Sequence, residues 1–268
     1  MRLRFLGTGT SFGIPVIGCD CAVCTSTDPR DRRTRHGAVL ENDAGTRRLL
    51  IDTPPELRVQ LLRAGIRSID AVWYTHSHAD HTHGIDDLRA FSAHRRAPLV
   101  IHAVPAAAAE LRRRFEYIFD PGRIPPEGTS RPELRIATYD AYVDVELAGF
   151  RLTPLPVLHG DVPVFGFRCG PLGYITDAKT IPPRTLEHLV GVRVLVLNAL
   201  WFGHRHPTHL NVEEAVQIAR LIDAERTFLV HLTHRVRHAD LAAALPPSIQ
   251  PAYDDLVIEI GEEPEAQA

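Results

Sequence analysis

Apolar and polar positions along this chain change period in a way that separates strands from helices. "RLRFLG" (2–7) and "RRLLID" (47–52) are short apolar runs ending in turn or polar residues, and both predict strands. "GAVLE" (37–41) predicts their partner, with "NDAG" (42–45) as the hairpin turn. In "PPELRVQLLRAG" (54–65), Leu57, Leu61 and Leu62 fall at helical spacing between opening prolines and a closing glycine. "DAVWYT" (70–75) predicts a buried strand that runs straight into "HSHADHTHG" (76–84). A helix over "IDDLRAFSAH" (85–94), a strand over "PLVIHA" (98–103) and a helix over "PAAAAELRRRFEYIF" (105–119) follow.

Residues 120–132 are rich in proline and glycine and predict a surface loop. Beyond them β-type runs cluster: "LRIATY", "YVDVEL", "FRLTPLPVLH", "VFGFRC" and "LGYITD". "RVLVLNAL" (193–200) predicts a strand, "NVEEAVQIARLI" (211–222) an amphipathic helix and "RTFLVHL" (226–232) a last strong strand. Strands alternate with helices in both halves, but the clustered β-runs fit a purely parallel array poorly. The pattern therefore predicts an α/β protein with two mixed sheets packed face to face and helices outside. No repeat or linker divides the chain, so one domain over 1–268 is expected, with a polar tail from about 261 to 268.

The bulk composition, 44% hydrophobic and 24% charged over 268 residues, is that of an ordinary globular protein. A formal net charge of −3 argues against a nucleic-acid partner. The opening apolar run is too short for a signal peptide and is broken by Gly7 and Gly9, and no stretch approaches a membrane span of about 20 apolar residues. A cytoplasmic protein without a membrane partner is expected; a homodimer is left open. The arginine runs at 30–35 and 111–115 suit solvated faces, although Arg33 or Arg35 is also a weak candidate for contact with an anionic substrate.

Histidine alters the picture most, with fifteen in the chain. "HSHADH" places His76, His78, Asp80 and His81 directly after a buried strand. Residues two apart in extended chain point the same way, so His76 and His78 can converge on one ion, and a turn after Ala79 would bring in Asp80 and His81. Imidazoles with a carboxylate suit Zn, Mn or Fe. Three further polar residues sit at or near the ends of apolar runs: His159, Asp177 and His231. Each alone would be read as structural; their shared placement suggests one site at the strand ends.

"THSHADHTHG" resembles the HxHxDH signature of the metallo-β-lactamase superfamily, and the order of "LLIDT", "HSHADH", His159, Asp177 and His231 matches that family across nearly the whole chain. The resemblance implies an αββα sandwich with two divalent metals, zinc or manganese, at one edge. Carried over by position, His76, His78 and His159 would bind one metal and Asp80, His81 and His231 the other. Asp177 would bridge them, and Asp52 would orient a ligand from behind. His83 is not a ligand in this pattern.

"GCDCAVC" (18–24) holds three of the four cysteines, one thiol short of a closed zinc site. The fourth, Cys169, could complete it, or the thiols could be free. "FLGTGTSFGIPVIGCDCAVC" resembles the N-terminus of the phosphoribosyl 1,2-cyclic phosphodiesterase group. There the Cys-x-Cys-x2-Cys loop forms a structural zinc site completed by a histidine three residues after the last active-site ligand. The resemblance thus implies Cys19, Cys21, Cys24 and His234 as ligands, with the "GTGTSFG" loop held over the reaction site. It also implies that His209, ahead of "NVEEAV", contacts phosphate or protonates the leaving group. Asp80 and His209 are the candidate catalytic residues. The expected reaction is hydrolysis of a small phosphodiester, cyclic ones included, by a hydroxide held between two metals.

Other readings compete. The fold also suits a thioesterase, lactonase or glyoxalase II-like enzyme, and a tRNA 3′-processing nuclease would need a grasping arm that does not stand out. The pyrroloquinoline quinone synthesis protein carries a similar cysteine loop and would imply oxidative chemistry. An intact ligand set argues against a binding module without catalysis.

Overall fold

In the computed structural model, residues 1–93 and 97–261 are described. The predicted end of one helix at His94 and the tail from 262 onward lie outside them. The strands are β1 (Arg2–Gly7), β2 (Gly37–Glu41), β3 (Arg48–Ile51), β4 (Ala71–Trp73), β5 (Leu99–Ala103), β6 (Leu134–Thr138) and β7 (Val145–Leu147). They continue with β8 (Phe150–His159), β9 (Val162–Cys169), β10 (Leu172–Tyr174), β11 (Val194–Asn198), β12 (Arg226–Val230), β13 (Ile249–Pro251) and β14 (Val257–Glu259). Among the described residues they form two seven-stranded sheets, ordered β14-β1-β2-β3-β4-β5-β6 and β13-β12-β11-β10-β9-β8-β7. Each sheet is antiparallel in one half and parallel in the other, because β3 to β6 and β10 to β13 pair in parallel. This is the predicted pair of mixed sheets.

A strand covered on both faces needs apolar residues at every position, and "VLVLN" of β11 is buried throughout. Val194 and Val196 join the core that includes Phe5, Phe167 and Val230, whereas Leu195 and Leu197 join a second core. That second core contains Val212, Ala215, Ala219 and Ile222 of the helix Val212–Ile222. Asn211 caps this helix in a reciprocal capping box with Glu214. Leu197→Ala is expected to destabilise the protein by about 3 kcal/mol, through lost burial plus a residual cavity, read as a lower urea midpoint. An unchanged midpoint would contradict this packing.

Two contacts fix where the strand ends lie between the sheets. Trp73 stacks on Tyr139, with centroids 4.0 Å apart, and donates from Nε1 to the Phe165 carbonyl of the facing sheet. The Phe165 amide donates to the Thr75 carbonyl at 2.9 Å. Together they pin the exit of β4. The N-terminal loop is held by Leu232, whose amide donates to the Thr8 carbonyl at 2.9 Å. Gly7 allows that loop to pack: a Cβ there would lie 2.0 Å from the Arg35 carbonyl oxygen.

The predicted helix 105–119 is interrupted at Phe115 (φ −115°, ψ 43°), giving Pro105–Arg114 and Glu116–Phe119. The stretch predicted as a helix from 85 becomes a 3-10 turn, Ile85–Leu88, followed by one α-turn, Arg89–Ser92. The run "LGYITD" is strand only to Tyr174. Two helices, Pro183–Leu189 and His238–Ala244, and the edge strands β13 and β14 had no counterpart in the sequence pattern. Among the described residues no helix is long and apolar enough to cross a membrane.

Candidate metal centre and active site

The candidate residues collect where β3, β4, β8, β10 and β12 end. Three of them, Asp52 (φ 60°), Asp177 (φ 52°) and His231 (φ 58°), adopt left-handed backbone just beyond their strands. L-residues other than glycine adopt this region at a cost, and such positions concentrate at functional sites. His76, His78 and His81 follow β4, the last within the helical turn Ala79–Thr82 that brings Asp80 alongside.

Asp52 organises the cluster from behind. Its carboxylate accepts the Thr75 amide and the Thr75 hydroxyl, both at 2.8 Å, and lies 2.7 Å from His81 Nδ1. That contact places the proton of neutral His81 on Nδ1 and turns the Nε2 lone pair inward. The Thr75 hydroxyl spends its hydrogen on Asp52, so it accepts from His76 Nδ1 at 3.0 Å. His159 Nδ1 donates to the Thr208 carbonyl at 2.8 Å. These three imidazoles therefore present Nε2 as the free donor atom.

Those inward atoms have no conventional partner. His76 Nε2, His81 Nε2 and both ring nitrogens of His231 are buried without a hydrogen bond. Yet His81 Nε2 lies 3.3 Å from Asp177 and 3.5 Å from Asp80, and His231 Nε2 lies 3.0 Å from Asp177 and 3.7 Å from Asp80. Donor atoms that approach without hydrogen-bond alignment, and that would be costly to leave unmatched, fit a shared cation. Burial opposes the charge on Asp177, but His231 and His81 hold its carboxyl well below the usual range. Burial likewise opposes a charge on His81, but Asp177, Asp80 and Asp52 hold its pKa well above the usual value. The buried carboxylates thus demand positive charge, which a divalent metal can supply in place of protons.

Three groups have ligand atoms within 4.8 Å of one another: His76–His81–Asp177, Asp80–His81–His231 and His159–Asp177–His209. The second coincides with one predicted ligand set, and Asp177 links the other two groups. His78 belongs to none of these triplets, though its ring stands beside His76 and His159, with centroids 4.6 and 5.1 Å away. His209 joins the cluster: Nε2 lies 3.0 Å from Asp177, and its ring stacks on His231 at 4.9 Å. His83 is exposed and packs toward Phe115.

The second candidate centre gathers Cys19, Cys21, Cys24 and His234. Their sulfurs lie 3.3, 3.5 and 3.5 Å from His234 Nδ1. Zinc bond lengths at a tetrahedral angle would separate sulfur from nitrogen by about 3.5 Å, so this donor set fits the ion. The Cys24 amide, pointing at the Cys21 sulfur, lowers the Cys21 thiol to about 6, and burial raises Cys24 to about 11. Cys169 lies elsewhere, its sulfur 3.9 Å from that of Met1.

One cavity of about 410 Å³ joins the centres. Thr10, Ser11, Phe12 and Gly13 of the glycine-rich loop line it together with His209, His231 and His234. Arg33 and Arg35 do not line it, contrary to the weaker expectation. Arg33 is buried and holds Thr8 and the Ala252 carbonyl, while Arg35 pairs with Glu56 and holds the Ser11 carbonyl. Sequence reasoning missed His36, which is buried behind His81 and His231 and lies 2.7 Å from the Tyr174 hydroxyl. Burial, reinforced by those two histidines, lowers its pKa to about 3. It also missed Trp201 and Arg235 in the cavity wall. No sequence signal marked His36; Arg235 directly follows "HLTH".

Two sheets enclosed by helices, with histidines and aspartates converging at the strand ends, define the metallo-β-lactamase fold with a candidate metal centre at its edge. The family model described as the beta-lactamase superfamily domain matches residues 47–232, and the chain belongs to that superfamily. A crystal structure of a diphosphatase from the PhnP family is 38% identical, covers 97% of this chain and 98% of its own, and superposes with a TM-score of 0.88. The Zn2+-bound PqqB structure from Methylobacterium extorquens, 18% identical over 97% of this chain and 100% of its own, shares the fold with a TM-score of 0.78. A curated relative, an octanoyltransferase from Porphyromonas gingivalis, is 38% identical over 96% of this chain. The chain spans about half (51%) of that relative's length.

Proposed function

We propose that this protein is a metal-dependent phosphodiesterase acting on a small phosphodiester. The observation that carries the reading is His209, a histidine outside the signature that nonetheless reaches Asp177 and stacks on His231 inside the same cavity. The diphosphatase relative, similar over nearly the full chain, supports phosphorus chemistry. His76, His78, His159, Asp80, His81 and His231 are the proposed ligands of a metal pair, with Asp177 between them. Bound divalent metals would supply Lewis acidity toward a phosphoryl oxygen and a lowered pKa for water. Asp52 and Thr75 fix the imidazole tautomers, so the donor nitrogens need not reorganise. His209 contacts the phosphate or delivers a proton to the departing oxygen. Its Nδ1 lies 3.0 Å from the Thr208 hydroxyl, which holds the ring in place.

His209→Ala is expected to lower turnover about 100-fold or more on a diester with a poor leaving group, and less on bis-p-nitrophenyl phosphate, whose leaving group needs no proton. Equal activity of the variant and the parent on the poor leaving group would remove this role.

A second reading, thioester hydrolysis, is favoured by the apolar wall formed by Phe12, Val16, Leu200 and Trp201, and by the octanoyltransferase relative. Parallel assays of phosphodiesters and medium-chain acyl thioesters, each with added zinc or manganese, separate the two. Turnover of the thioesters alone would replace the phosphodiesterase reading.

A further inference from the structure

Phe12 is an exposed ring on a fixed turn. The Gly13 amide closes the turn on the Thr10 carbonyl at 2.9 Å, and Gly13 leaves it in left-handed backbone (φ 64°). The turn is tied down on both sides. Ile14 and Arg33 exchange amide-to-carbonyl bonds at 2.7 and 2.9 Å, and Arg35 Nε donates to the Ser11 carbonyl at 2.8 Å. The backbone is thus held, yet Phe12 is 72% exposed. Among the described residues it joins none of the buried apolar clusters. It lines the cavity that also reaches His209 and His231.

Arg235 lines the same cavity. Its guanidinium lies over the Trp201 ring, 4.1 Å from the centroid, and the residue is otherwise exposed. The indole beneath is itself held: Nε1 donates to the His204 carbonyl at 2.9 Å, and the His206 ring packs edge-on at 5.4 Å. A guanidinium is planar and stacks on aromatic faces, so a cation backed by one ring can receive a second on its other side. An alkyl chain would gain most from a bare indole. Here a cation covers the indole, and an alkyl chain laid on that cation would strip its water without return. An aromatic ring offsets that loss through its π face and gains the Phe12 ring as a neighbour. The cavity, about 410 Å³, has room for a ring and an adjoining phosphate.

We propose that Phe12 and the Arg235 guanidinium, backed by Trp201, form a subsite for an aromatic ring carried by the substrate, so that aryl-bearing phosphodiesters are preferred over alkyl ones. This rests on the phosphodiesterase reading for the anionic head that sits at the histidine–aspartate cluster. Phe12 and Arg235 are then specificity residues, and Trp201 is the positioning residue of Arg235.

The test compares ligands that share an anionic head and a carbon count and differ in the ring. Benzylphosphonate, cyclohexylmethylphosphonate and heptylphosphonate are titrated calorimetrically into the zinc-loaded protein. The saturated ligands carry more apolar surface, so burial alone would favour them. The wild type should instead bind benzylphosphonate about 10-fold more tightly, the size expected for an aromatic pair with a cation–π contact. F12L and R235Q should each cut that preference to about 3-fold or less with metal content unchanged, while F12Y and R235K retain more of it. Failure of benzylphosphonate to bind, equal or tighter binding of a saturated ligand, or undiminished preference in either F12L or R235Q overturns the proposal. Turnover of benzyl p-nitrophenyl phosphate is measured alongside. If the ring preference behaves as expected but the wild type does not hydrolyse this diester, the aryl subsite stands and the phosphodiesterase reading fails. Hydrolysis without ring preference keeps that reading and removes the subsite.

Discussion

Asp177→Asn should reduce turnover about a thousandfold or more and strip metal from the histidine cluster. The carboxylate is buried and meets three imidazoles at 3.0 to 3.3 Å: His81, His231 and His209. Asparagine preserves its shape and removes its charge, so the loss would be electrostatic. Metal-centred charge stabilisation is worth several kcal/mol, and about 4 kcal/mol corresponds to roughly a thousandfold in rate. Metal content by elemental analysis and turnover should fall together, with the fold preserved by circular dichroism. Full metal occupancy with full activity in this variant would show that Asp177 does not link the sites.

Cys24→Ala should remove one zinc per chain and lower the melting temperature by about 10 °C, which corresponds to roughly 4 kcal/mol for a domain of this size. Cys24 is the buried member of the thiol set, and its sulfur also receives the Val16 amide at 3.3 Å. Without its ligand the "GTGTSFG" loop would lose its tie to His234 and retain the one through Thr8 and Leu232. Cys169→Ala is the matched control, because that thiol packs on Met1. Unchanged zinc content and melting temperature in Cys24→Ala would refute a structural zinc here, whatever happens to activity.

Much of the centre was legible because it is local. "HSHADH" carries its geometry in its spacing, and His159, Asp177 and His231 announce themselves as polar residues at the ends of apolar runs. The fourth candidate ligand, His234, lies more than 200 residues from the cysteines and came from family resemblance; its Nδ1 stands 3.3 to 3.5 Å from the three sulfurs. What escaped depends on long-range partners. Strands β13 and β14 are three residues long and become strands only by pairing with β12 and β1. Trp201 and Arg235 are unremarkable apart and acquire meaning when stacked. The capping box at Asn211 is, by contrast, a local feature contained in four residues. Phe115 broke a helix whose periodicity gave no warning, through one backbone conformation.

The left-handed backbone at Asp52, Asp177 and His231 has a consequence for how this protein can change. Glycine would relieve strain of about 1–2 kcal/mol per position, yet it would delete the side chain on which the site depends. Stability and chemistry therefore compete at single residues rather than between distant regions. A search for sturdier variants can relieve the same strain at Tyr142, Ala148, Asp223 or Asp255, whereas at Asp52, Asp177 and His231 each gain would remove a member of the candidate site.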